Sequence, residues 1–74
     1  MAVIKIESEV NARVLQINAG VGDHINEDDV LLVVESMKME IPILAEASGV
    51  VLAIHVEAGQ TIDEGQLLAE LNQE

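Results

Sequence analysis

The stretch Glu35-Ser36-Met37-Lys38-Met39-Glu40 brings a primary amine, two thioethers and two carboxylates within a few residues of one another. A lysine amine can act as a base, form a Schiff base, or accept an acyl group. The first two roles need desolvation or neighbouring positive charge to remove the ammonium proton. Lys38 has Glu35 and Glu40 instead, which would stabilise its ammonium form and argue against both of those roles. A lone exposed lysine is ordinarily a solubilising charge. The methionines argue for more. Met39 falls in register with Ile41 and Ile43 and is expected to fill core space as well as flank the amine. Met37 is expected to be exposed, where a thioether needs a reader to explain it.

The elements that position this stretch are two apolar β-like runs, Val30-Leu31-Leu32-Val33-Val34 before it and Ile41-Pro42-Ile43-Leu44 after it. So short a gap reads as a tight hairpin. Two-residue hairpin loops favour Asn, Asp or Gly because their backbone needs positive φ, yet the tip offers Met37 and Lys38. A turn that ignores turn chemistry answers to some other requirement.

Sliding the sequence against itself gives one offset that keeps matching, 37 residues, half the chain. It pairs Ile4 with Ile41, Ile6 with Ile43, Val14 with Val51, Gly22 with Gly59, Ile25 with Ile62 and Leu31 with Leu68. Two copies are too few for a solenoid and point to a pseudo-two-fold domain with interlocked halves, spanning residues 1–74. Each half reads as four short strands. They are expected at Val3–Ile6, Arg13–Asn18, His24–Ile25 and Val30–Ser36, then Met39–Leu44, Val50–Val56, Thr61–Ile62 and Gln66–Leu71. Alternation shows at Val14, Gln16 and Asn18 and at Leu52, Ile54 and Val56, whereas Leu31 to Val34 reads as a strand covered on both faces. Asp28 stands where the second copy has Gly65, and both tolerate a left-handed backbone. Pro42 cannot donate a ladder hydrogen bond, which puts its strand at an edge or beside a bulge. The fold class is all-β: a flattened barrel of two four-stranded antiparallel sheets. Lys38 would project from the end opposite the meeting of Met1 and Glu74.

Composition sets the limits. With 74 residues and no cysteine the chain is near the lower size for a single core without staples, and closure of the sheets is one way to manage. A formal net charge of −11 repels phosphate backbones and anionic lipid, so neither nucleic acid nor membrane is an expected partner. The chain has no Phe, Trp or Tyr to stack bases. Its N-terminus is apolar for too short a run to be a signal peptide, and the reading is a cytoplasmic protein. His24, beside Asp23, Glu27, Asp28 and Asp29, matches no calcium-loop spacing, and His55 aligns with Asn18 as an ordinary surface position. No phosphate loop, nucleophile elbow or paired zinc ligands occur, so an independent enzyme is not expected.

Glu35-Ser36-Met37-Lys38-Met39-Glu40-Ile41 resembles the biotin attachment motif, Glu-Ala-Met-Lys-Met, of the biotinyl domains of biotin-dependent carboxylases. The resemblance extends over nearly the whole chain. It implies a two-fold flattened β-barrel shared with lipoyl domains, with biotin attached to Lys38. Met37 and Met39 would be read by biotin protein ligase, with Glu35, Ser36 and Glu40 around them. It also implies a biotin carboxylase and a carboxyltransferase as partners, and a non-catalytic carrier role between them. Ser36 replaces the family's usual alanine, and Glu9 and Ala12 stand where members often have Pro and Gly. Two alternatives remain: a lipoyl or dual biotin/lipoyl acceptor, against which the paired methionines weigh, and an unmodified β-barrel interaction module.

Overall fold

Short apolar runs separated by turn residues give eight strands in the computed structural model, which describes residues 2–74. They are β1 (Ala2–Glu7), β2 (Ala12–Ile17), β3 (His24–Ile25), β4 (Val30–Ser36), β5 (Met39–Leu44), β6 (Gly49–Ile54), β7 (Thr61–Ile62) and β8 (Leu67–Gln73). β3, β4, β5 and β7 have the expected bounds; the ends of the others move by one or two residues. One sheet has the order β1-β8-β6-β3 and the other β5-β4-β2-β7, with every pairing antiparallel. Each half therefore supplies the central pair of one sheet and both edges of the other. Pro42 lies on the edge strand β5, where its missing N–H leaves no gap in the ladder.

The hydrogen bonds that extend each sheet beyond its strands repeat with the sequence. Ser8 N–H donates to the Gln66 carbonyl at 2.9 Å, and its counterpart Ala45 N–H donates to Asp29 at 2.8 Å. Gly22 N–H to Val51 is matched by Gly59 N–H to Val14, and Glu27 N–H to Ser48 Oγ by Glu64 N–H to Asn11 Oδ1. Between the sheets lies a core whose fully buried side chains include Ile6, Val14, Leu31, Val34, Val51, Ile62, Leu68 and Leu71. Each such aliphatic side chain is worth about 1.5–3 kcal/mol relative to exposure. Gly49 is required by close approach: a Cβ there would run into the carbonyl of Asn72.

Two readings of the pattern are corrected. Leu31 and Leu32 are both fully buried, but the sheet has no cover on its outer face; a register shift between Val30 and Leu32 turns successive side chains inward. A second shift, between Val51 and Ala53, breaks the alternation expected along Leu52, Ile54 and Val56. Leu52 is 45% exposed while Val51 and Val56 are buried. Both bulges have a two-fold counterpart, at Leu68 on β8, opposite Ile6 and Glu7, and between Val14 and Gln16 on β2.

The expected meeting of Met1 with Glu74 involves Met1, which lies outside the described residues; its neighbour Ala2 pairs with Gln73. From there β1 runs away from the termini, and the chain enters β2 at Arg13 opposite Glu35, beside the β4–β5 hairpin. The tip and the Ala2–Gln73 pair thus lie at opposite ends of the body, which measures 36 × 19 × 17 Å.

Among the described residues, three other than glycine have positive φ: Asp28 at 73°, Met37 at 53° and Lys38 at 66°. Asp28 occupies the place that Gly65, at 84°, holds in the other half. Asp28→Gly should therefore stabilise the fold by about 0.5 kcal/mol, raising Tm by a few degrees in a thermal melt. Replacing the hairpin tip by Met37→Asn with Lys38→Gly should stabilise it further, by about 1–2 kcal/mol, because both residues then suit the turn. A lower melting temperature for the double variant would show that the native side chains hold the turn by contacts of their own.

Candidate functional site

The tip is a two-residue hairpin loop. Ser36 pairs with Met39 across it, Glu35 with Glu40 behind it, and Val34 with Ile41 behind that. Positive φ at both Met37 and Lys38 is the signature of a type I′ turn, whose twist matches that of the flanking strands. L-residues other than Asn, Asp and Gly enter this region at a cost of about 1 kcal/mol each. The ladder and the fully buried Val34 hold the turn in place.

Lys38 is exposed and makes no hydrogen bond or salt bridge among the described residues. The amine is free to meet an incoming group. Met37 is 93% exposed and Met39 64%. The expectation that Met39 also fills the core is thereby overturned. The core stops at the row of Val34 and Ile41, and only Ile41 and Ile43 on that strand pack against it. Met39 lies past the end of the core, as Met37 does, so both thioethers are presented to solvent around the amine.

Behind the tip a charged row crosses the sheet: Thr61 on β7, Arg13 on β2, Glu35 on β4 and Glu40 on β5. Like charges directly opposite one another destabilise a sheet. Glu35 and Glu40 are such a pair, and Arg13 stands on the other side of Glu35 as the cation of the row. The sequence reading placed Glu35, Ser36, Met37, Lys38, Met39 and Glu40 together, and the structure does bring them together. It did not include Arg13. The signal was available, because an antiparallel β2–β4 pair sets the only arginine of the chain against the end of β4.

The rival residues form no centre. Asp23 Oδ2 accepts from Gly20 N–H at 2.8 Å and Asp29 Oδ2 from Asn26 N–H at 2.9 Å, so both carboxylates brace turns. His24 Nε2 lies 2.8 Å from Glu74 Oε1, and His55 Nε2 lies 2.7 Å from Glu70 Oε2. Among the described residues no three His, Cys, Asp or Glu side chains gather as metal ligands. Two surface grooves, of about 360 and 340 Å³, share Glu7, Glu9 and Glu46, and neither includes Met37, Lys38 or Met39. The site is thus a projecting amine away from both grooves, an arrangement suited to covalent loading.

Comparison with known proteins agrees with this geometry. The family model described as "Biotin-requiring enzyme" matches residues 3–71. A homolog of biotinylated protein TB7.3 from Mycobacterium leprae is 42% identical over 67 residues, covering 90% of this chain and 94% of the relative. The biotin carboxyl carrier protein of Streptococcus mutans is 44% identical over 55 residues, 74% of this chain but only 42% of that protein. Among solved structures, the urea carboxylase of Kluyveromyces lactis superimposes with a TM-score of 0.90 at 30% identity, over 97% of this chain and 6% of that one. The strand order, the repeat and the family match agree, and the chain belongs to the biotin-requiring enzyme family.

Proposed function

We propose that this protein is a biotin carboxyl carrier and that Lys38 is its attachment point. The observation that carries the reading is the exposed, unpartnered Lys38 amine on a rigid type I′ turn between two exposed methionines. Biotin protein ligase would read Met37 and Met39 together with Glu35, Ser36 and Glu40. Acylation joins the Lys38 Nζ to the biotin carboxyl group, with loss of the ammonium charge. The attached group supplies a ureido ring that can carry a carboxyl group.

The chain's own contribution is mechanical. Lys38 lies at the end of a hairpin anchored by Val34 and Ile41, so the long neutral arm has a fixed origin. Tethering raises the local concentration of the cofactor at each site it visits, and a biotin carboxylase and a carboxyltransferase are the partners this implies. Carboxyl transfer would be catalysed by those partners, since the projecting tip offers no catalytic constellation of its own. The net charge of −11 favours brief contacts with basic surfaces around their active sites.

Intact-mass measurement of the protein from its native host should show one added biotinyl group, mapped by peptide fragmentation to Lys38. Lys38→Arg should keep the melting temperature within about 2 °C, since the turn geometry is retained, yet abolish streptavidin binding. An unmodified or lipoylated Lys38 would sink the biotin reading.

A further inference from the structure

Sulfur is distributed unevenly in this chain. It has no cysteine and three methionines, and two of these, Met37 and Met39, flank Lys38. No other described residue contains sulfur. At 93% and 64% exposure neither thioether has the shielding that a core would give it. A leucine there would present a similar apolar surface without the reactive lone pair. The most oxidisable groups of the described chain thus stand directly on either side of its acceptor amine.

We propose that the tip is an oxidation site, at which a peroxide converts Met37 and, more slowly, Met39 to the sulfoxide and makes Lys38 a poor acceptor. The Sδ lone pair attacks one peroxide oxygen, the O–O bond breaks, and an S–O bond forms. For hydrogen peroxide the departing hydroxide takes up a proton and leaves as water. Sulfur is oxidised by two electrons and the peroxide is reduced by the same two. Met37 leads because it is the more exposed and sits at the turn itself. The product is polar and chiral where the thioether was apolar. A reader that accepts the thioether must now desolvate a strong hydrogen-bond acceptor without a partner, a mismatch that lowers acceptance by about tenfold or more. Sulfoxide reductases reverse the change, so it is a switch on loading. Because both side chains lie outside the core, oxidation leaves the fold intact.

The proposal rests on the biotin-acceptor reading, and the experiment separates the two. The unmodified full chain is treated with hydrogen peroxide under native conditions, and peptide mapping follows each sulfoxide. Treated and untreated samples are then given to a biotin protein ligase with biotin and ATP. Met37 should oxidise at a rate close to that of a free methionine peptide, the melting temperature should hold, and acylation of Lys38 should slow about tenfold. Methionine sulfoxide reductases A and B should restore it. Met37→Leu and Met39→Leu variants are each compared with their own untreated form, and Met37→Leu should lose most of the peroxide effect. Equal acylation before and after oxidation overturns the proposal alone. So does a slowing accompanied by unfolding, or one that persists undiminished when both methionines are leucine. No acylation of the untreated protein overturns the acceptor reading together with it.

Discussion

The exchange of strands between halves is the constraint on which the rest of this structure depends. β8 and β6 of the second half form the centre of one sheet, with β1 and β3 of the first half as its edges; β4 and β2 of the first half are flanked by β5 and β7 of the second. Half a chain would have two unsatisfied central strands and an apolar face with nothing opposite. Burial of Val14 against a core that includes Val51, and of Leu31 with Leu68, requires both halves at once. A chain of 74 residues without cysteine has little surplus stability, and interlocking makes every long-range pair part of one cooperative unit.

That cooperativity is what permits an unfavourable turn. Met37 and Lys38 sit in a left-handed conformation at a cost of roughly 1 kcal/mol each, an outlay a marginal isolated hairpin could not sustain. Here the hairpin is one side of a four-stranded sheet whose next row contains the fully buried Val34. The sheet fixes the turn, and the turn in turn aims the amine. The opposed carboxylates Glu35 and Glu40 are a second local cost borne by the same scaffold, with Arg13 across the ladder from Glu35. Local rules fail at the tip in backbone conformation and in charge together, whereas elsewhere the exceptions are single ones, Asp28 and the bulges of the ladders. Functional sites are where such exceptions concentrate.

Much of this was legible in the residues. The offset between copies predicted a pseudo-two-fold domain, and the hydrogen bonds of the structure repeat with it, as at Gly22 and Gly59. The substitution of Asp28 for Gly65 even carried the backbone sign, since both residues enter the left-handed region. What escaped was phase. A bulge adds one residue to one strand and reverses which face the next side chain meets, and nothing in Val51-Leu52-Ala53 announces where the extra residue falls. The same blindness misplaced Met39: its register with Ile41 and Ile43 was right, but where the core ends depends on the opposing sheet. Arg13 was missed for a related reason, being a partner across the ladder and not along the chain.

The two-fold also relates the hairpin tip to a second corner of the frame. The hairpin tip after Ser36 and the chain end after Gln73 occupy equivalent positions in the two halves, Ser36 paired with Met39 in one and Gln73 with Ala2 in the other. The frame therefore offers two similar corners. At the corner after Gln73, Glu74 makes a backbone bond to Ser48 and its side chain meets His24. At the corner after Ser36 the ladder continues through a turn with both φ angles positive, so a side chain placed there has a defined origin and direction. The junction of the halves and the strained turn coincide at Met37 and Lys38, and the paired rows behind them, Ser36 with Met39, Glu35 with Glu40 and Val34 with Ile41, fix the origin from which the exposed Lys38 side chain projects.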